Sequence, residues 1–492
     1  MLRTKFLLTT AMTSAAVLLA PVAVTAAPTP GAPGIGDPYY PTYGNGGYDV
    51  KSYDIGVRYQ PDSKKLTGTT TLVATATQDL SSFDLDFGLT ASKVTVDGRP
   101  AQTRTDGFEL IVTPSRPLHR HAPFVVTVEY SGTPSKVTIP GTTSTPWVTT
   151  PTGAVGLGEP EASAWWFPAN DHPLDKATYR VAITAPSDLS ALSNGNLVSK
   201  QTTGADTTWT WVEKLPQATY LAFMAIGRYD VLSGRSASGL PYTTAVAQGT
   251  SPEYTAAKKN LAQTGEVVDW LSKQWGRYPF DAIGGVVPDG EIGYALEDQT
   301  RPVYDTAFWR GGRDNISVVV HENAHQWFGD SVSVHHWRDM WLNEGFASFS
   351  EWLWSEQHAG KTGQQEFDAL YAKPANDSFW SMVIGEPGAH HEFDGPVYDR
   401  GAMVAQALRN RVGDATFFRI IRSWVVKHRY GNARIEDFVA LASKVAKQDL
   451  RHFFQVWLFT GEKPAPTVEN GFPPDYKPAA PKAAQQRSLP RR

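Results

Sequence analysis

The chain has 492 residues, 41% hydrophobic and 19% charged, with 16 Trp, 19 Tyr and 22 Phe, enough apolar material for two or three packed domains and unlike a disordered chain. Its formal net charge of −4 offers no basic surplus for nucleic acid. The absence of cysteine excludes disulfides, thiolate metal ligands and a cysteine nucleophile.

At the amino terminus, MLRTK is followed by the apolar run FLLTTAMTSAAVLLAPVAV and by small residues at Ala26 and Ala27. This layout predicts a secretory signal over 1–27, and hence a secreted, extracellular protein with no membrane anchor after cleavage. No later stretch is apolar enough to span a bilayer. Residues 28–47, rich in Pro, Gly and Tyr, read as a linker or extended arm.

From about residue 48 the pattern is strand-like. TTTLVATAT (69–77), FDLDF (83–87), FELIVT (108–113), FVVTVEY (124–130), TYRVAITAP (178–186) and YLAFMAIGRYDVL (220–232) concentrate β-branched and aromatic residues between turn signals. An all-β domain is expected over 48–240. Near residue 252 the apolar spacing becomes helical, and helices are expected at 343–359, 401–412, 414–428 and 434–447. The fold class expected is therefore α+β, with a mostly helical second domain over 241–462. The Pro/Ala-rich, basic stretch 463–492 reads as a mobile tail.

The chemistry centres on HENAHQWFGD (321–330). On a helix, residues i and i+4 share a face, so His321 and His325 can address one metal ion while Glu322 reaches a water beside it. Val318, Val319 and Val320 favour a strand locally, so a helix here is expected from the motif alone. Glu344 begins a second helical stretch, separated from His325 by 18 residues, a gap that suits a loop and a return helix. His335 and His336 are rival ligands, but adjacent side chains diverge. Two histidines and a glutamate around one zinc ion leave a position open for water, the catalytic rather than the structural arrangement.

HENAHQWFGD followed by WRDMWLNEGFASF (337–349) resembles peptidase family M1, the aminopeptidase N-like gluzincins. VTVDGRP and WFPANDHPLDKATY resemble the family's amino-terminal β-saddle domain. YDRGAMVAQALR and DLRHFFQVWL resemble its thermolysin-like catalytic domain. The resemblance implies zinc and hydrolysis of peptides from a free amino terminus. It implies His321, His325 and Glu344 as ligands and Glu322 as general base.

The family's amine-binding G-x-M-E-N segment corresponds to YALEDQTRP, which places that glutamate at Glu297. Tyr294, Leu296 and Asp298 depart from the pattern and leave the side-chain preference open. A second acid for the amine is expected from GEPEASAWWFP, at Glu159 or Glu161, with Glu159 preferred. Trp165 and Trp166 either line the cleft or pack in a core. Tyr398 resembles the tyrosine of the family's Y-x-[KR]-G segment, which stabilises the oxyanion. Glu351, two turns beyond Glu344, either orients a ligand histidine or is an exposed helix residue. The helical carboxy-terminal domain of many relatives is not matched, so a more open cleft is expected. Two alternatives to an aminopeptidase are an epoxide-hydrolase-type member of the family and a non-catalytic peptide-binding protein. The intact His321, Glu322, His325 and Glu344 argue against the second.

Overall fold

The structure is a computed structural model that describes residues 27–138 and 146–477. The signal expected over 1–27 lies outside the described residues except for Ala27, and so does 478–492 of the expected tail.

The amino-terminal half is β-rich because its apolar residues recur with period two. In Tyr48–Gln60 and Lys65–Ala76 buried and open positions alternate, which puts one face of the sheet on the core. These strands lie in an eight-stranded sheet. Its order is Asn196–Thr203, Asp206–Gln217, Ala177–Pro186, Tyr48–Gln60, Lys65–Ala76, Pro123–Gly132, Thr90–Val96, Arg99–Pro100. Ala177–Pro186 runs parallel to Tyr48–Gln60, while the other pairings are antiparallel. Two four-stranded sheets complete the half and share its core. Trp165 and Trp166 belong to that core, at 2% and 0% exposure.

The second half carries ten α-helices among the described residues: α1 Pro252–Leu261, α2 Thr264–Trp275, α3 Ile316–Ala324, α4 Trp341–Gln357, α5 Gly363–Tyr371, α6 Ser378–Ser381, α7 Gly395–Val412, α8 Asp414–Lys427, α9 Ile435–Ala446 and α10 Arg451–Leu458. A five-stranded sheet stands beside them, in the order Tyr229–Arg235, Pro241–Ala247, Ile283–Val287, Val303–Tyr304, Ala295–Leu296.

Four expectations about organisation are corrected. The boundary at residue 240 cuts a hairpin, because Tyr229–Arg235 pairs antiparallel with Pro241–Ala247 in the second half's sheet. The run 220–232, expected as one strand, is divided. Met224–Gly227 pairs with strands of the first half, and the residues after Gly227 turn into the second.

Residues 28–47 are not a free linker. Asp37, Tyr40, Tyr43 and Asn45 are buried, and Tyr40 and Tyr43 sit in the core of the helical half. Residues 463–477 are not a free tail either. Tyr371 Oη donates to the Pro464 carbonyl at 2.8 Å, Trp457 Nε1 donates to that of Asn470 at 3.0 Å, and Phe472 is 2% exposed. Local composition is rich in helix breakers in both segments, but their aromatic residues find long-range partners.

Candidate active site

α3 forms despite three consecutive valines because packing overrides propensity: Val318, Val319 and Val320 are all buried in the helical core. The helix places His321 in its last turn and ends at His325, its C-cap. α4 then returns with Glu344 in its first turn. α4 and α7 cross at two glycines. A Cβ on Gly401 would lie 2.8 Å from Gly345 Cα, closer than real atoms approach, so both positions have to lack a side chain. Glu344 precedes one glycine and Tyr398 lies three residues before the other, so this close crossing brings both to the same cleft. Tyr398 is inside α7, in its first turn, rather than ahead of the helix as expected. The buried guanidinium of Arg400 ties that turn down by donating to the carbonyls of Trp380, Met382 and Thr460.

The cleft holds about 100 Å³ of interior space. His321, Glu322, His325, Glu344, Glu351, Glu297 and Tyr398 all line it. Glu344 Oε2 lies 3.1 Å from His321 Nε2 and 3.4 Å from His325 Nε2. Two ligand atoms about 2.0–2.2 Å from one tetrahedral zinc stand about 3.3–3.6 Å apart, so the 3.4 Å contact matches that ion and the 3.1 Å contact is slightly tighter.

The outer ring nitrogens have their own acceptors. His321 Nδ1 donates to Glu351 Oε1 at 2.8 Å and His325 Nδ1 donates to the Phe328 carbonyl at 2.9 Å. Both rings therefore present Nε2 to the same point, as metal-binding histidines do. Glu351, held also by the Ser317 hydroxyl, occupies the orienting position rather than an exposed helix face.

The electrostatics ask for a cation. Burial disfavours a charged imidazole, yet Glu344 and Glu351 hold the His321 pKa well above its usual value. Burial acts the same way on His325, yet Glu297 and Glu344 raise it to about 9. Burial would raise the Glu344 carboxyl, but the two rings hold it well below the usual range. Glu322, 5% exposed, is pushed up to about 7 by burial, against the pull of His321 and His325. A site that charges its own histidines has negative potential to spare, which a bound dication would satisfy.

A second group, Glu297, Glu322 and His325, also has its ligand atoms within 4.8 Å of one another. Glu297 differs from the first set in being engaged elsewhere, accepting the Tyr220 hydroxyl at 3.2 Å. Gln326, on the turn after His325, donates to the Glu297 carbonyl at 3.0 Å and so fixes that loop to the histidine segment.

The structure brings Glu159 near Tyr220. Burial first, then the charges of Glu297 and Glu159, hold the Tyr220 phenol well above its usual pKa. Glu161 points elsewhere and accepts the Tyr43 hydroxyl at 2.7 Å. His335 and His336 pack edge to face with ring centroids 4.3 Å apart and do not line the cleft. Sequence reasoning missed Tyr220 and Gln326, because only the three-dimensional packing puts them beside Glu297.

The Peptidase M1 N-terminal domain matches residues 50–221 and the Peptidase family M1 domain matches residues 301–457, together more than half of the chain. The chain belongs to peptidase family M1. Mouse (Mus musculus) glutamyl aminopeptidase is 29% identical over 334 residues, 63% of this chain and 35% of that protein. Aminopeptidase M1 of Arabidopsis thaliana is 27% identical over 341 residues, 64% of this chain and 37% of that protein. This M1 chain thus spans about a third of the length of the curated relatives it matches. The M1 zinc metallopeptidase of Deinococcus radiodurans superposes with a TM-score of 0.76 at 27% identity, covering 89% of this chain and 99% of that one. A mutant of that bacterial protein bound to a Tyr-Ser-Ala substrate gives 0.77 at 26% identity, with the same coverage.

In this M1 chain, Glu351→Ala is expected to weaken zinc binding by about 10–100-fold, the usual cost of losing the partner that orients a ligand histidine. A competition titration against a chelator of known affinity measures it, and unchanged affinity would reduce Glu351 to a packing residue.

Proposed function

We propose that this protein is a secreted zinc aminopeptidase that removes residues from the free amino termini of peptides. The observation that carries the reading is the meeting of His321, His325 and Glu344 at zinc spacing, with Glu322 and Glu297 on the same cleft. Family membership and the likeness to solved zinc metallopeptidases support it.

His321, His325 and Glu344 would hold one zinc ion. When bound, zinc supplies a Lewis acid that polarises a carbonyl and makes water acidic near neutral pH. Glu322 takes the proton from the attacking water as its oxygen adds to the scissile carbonyl carbon. Tyr398 donates its hydroxyl hydrogen to the carbonyl oxygen as negative charge builds there. As the C–N bond breaks, Glu322 returns the proton to the leaving nitrogen, which departs as an amine. Glu297 offers its side-chain oxygens to the substrate's α-ammonium, and the Tyr220 hydroxyl donated to it fixes its direction. Glu159, buried near the same phenol, is the second acid on the amine side.

A panel of aminoacyl arylamides, assayed before and after chelation, tests the reading. Cleavage that vanishes with the chelator and returns with zinc is expected. Tight binding of peptides with no turnover in the zinc-loaded protein would favour a peptide-binding role instead.

Glu297→Gln should raise KM for free-amine substrates by about 10–100-fold, the range expected for losing a hydrogen bond to a charged group. Steady-state kinetics measures it, and an unchanged KM would take Glu297 out of amine recognition. Secretion rests on the leader pattern alone. Mass spectrometry of protein from the culture medium should find an amino terminus near Ala27, whereas an intact Met1 retained in cells would contradict it.

A further inference from the structure

The segment expected to be a linker touches both halves of the molecule, on opposite sides of one short stretch. Asp37 Oδ2 accepts the Trp337 backbone N–H from the helical half at 2.9 Å and faces His172 Nε2 of the β half at 3.2 Å. Both side chains of that Asp–His pair are fully buried. Tyr39 Oη accepts the Gly388 N–H at 2.9 Å, and Tyr40 donates to Glu392, both in the helical half.

Three residues on, the segment changes sides. Tyr43, stacked on Tyr40 with ring centroids 4.6 Å apart, donates to Glu161 at 2.7 Å. The Asn45 N–H then donates to Asn170 Oδ1 at 2.5 Å, and the Asn170 amide returns a bond to the Asn45 carbonyl at 3.2 Å. Gly44 has φ +63, and a Cβ there would meet His172 Cβ at 2.7 Å, so the chain lies hard against the β half.

The loop gripped by Tyr43 also carries Glu159, two residues before Glu161. On the other side, Trp337 packs its ring edge against Tyr220 at 5.4 Å, and Tyr220 donates to Glu297. The segment therefore bonds to the Glu159–Glu161 loop of one half and, through Trp337 and Tyr220, abuts the Glu297 side of the other.

We propose that residues 37–43 position the two acids of the amine site across the domain junction, with Asp37 and Tyr43 as positioning residues. The role rests on the aminopeptidase reading above. Neither residue lines the cleft, so neither meets the reacting bond. Loosening the grip should change how the free amine is held more than how fast the bound peptide is cut.

The test is steady-state kinetics of zinc-loaded Tyr43→Phe and Asp37→Asn on an aminoacyl arylamide, with hydrogen exchange of residues 157–164. Tyr43→Phe removes one hydroxyl and keeps the stacked ring, so it remains informative if Asp37→Asn folds poorly. The expected result is a KM raised about tenfold, kcat within about twofold of wild type, equal zinc content and faster exchange confined to that loop. Wild-type KM in Tyr43→Phe overturns the proposal, whether or not the loop exchanges faster. A fall in kcat with KM unchanged also overturns it. A wild-type protein that cleaves no arylamide overturns the aminopeptidase reading, and this role with it.

Discussion

Glu322→Gln is expected to retain zinc and to lower turnover by about 10²–10⁴-fold, the contribution typical of a positioned general base. Gln keeps the shape of the side chain and removes its ability to take a proton. Zinc content should not fall, because the three proposed ligands are His321, His325 and Glu344, and the Glu322 carboxyl is distinct from their 3.1 and 3.4 Å contacts. Burial pushes that carboxyl up to about 7, close to working pH, where a group both accepts and returns a proton effectively. A bound cation would pull it lower, which still leaves an acceptor. Metal analysis and single-turnover kinetics on the same sample separate the two effects. Near-normal turnover with zinc in place would remove Glu322 from the chemistry.

Tyr398→Phe is expected to cost about 10²–10³-fold in kcat with little change in KM, as loss of one donor to a developing oxyanion does. The Tyr398 ring lies 6.0 Å from that of His321 and nearly parallel to it, at 19°, so the phenol stands along the wall of the metal site. A phenolic O–H is a hydrogen-bond donor, which is what a developing oxyanion needs. Removing the oxygen leaves the ring, the α4–α7 crossing and the Arg400 bonds in place, so the fold should be retained. Rate measurement beside a melting curve checks both halves of the expectation. Normal turnover in a stable variant would make Tyr398 a packing residue.

The metal-binding face was legible because its geometry is local. His321 and His325 are one helical turn apart, and nothing beyond α3 decides whether they share a face. That Glu344 and Glu351 share a side of α4 was legible for a similar reason, since they are two turns apart, but the sequence left open whether Glu351 meets a histidine or solvent. What joins α4 to α7 was not legible, because a glycine pair such as Gly345 and Gly401 declares its close approach only once both helices are placed.

The same limit explains the misread ends. Asp37, Tyr40 and Tyr43 sit among prolines and glycines, and their partners Trp337, Glu392 and Glu161 lie more than a hundred residues away. A concentration of apolar and aromatic residues marks 220–232 as strand but cannot say that Met224–Gly227 and Tyr229–Arg235 join different sheets. Trp165 and Trp166 could be core or cleft by sequence, and packing against the β sheets decided for the core.

If a metal site and an amine site act on one substrate, a matched pair of peptides will reveal it. The zinc-loaded protein is offered a short peptide with a free amino terminus and the same peptide acetylated there, and products are followed by mass spectrometry. Stepwise loss of amino-terminal residues from the free peptide, with the acetylated one left intact, is the predicted result. Cleavage of the acetylated peptide as readily as the free one would contradict the account, whatever the zinc content.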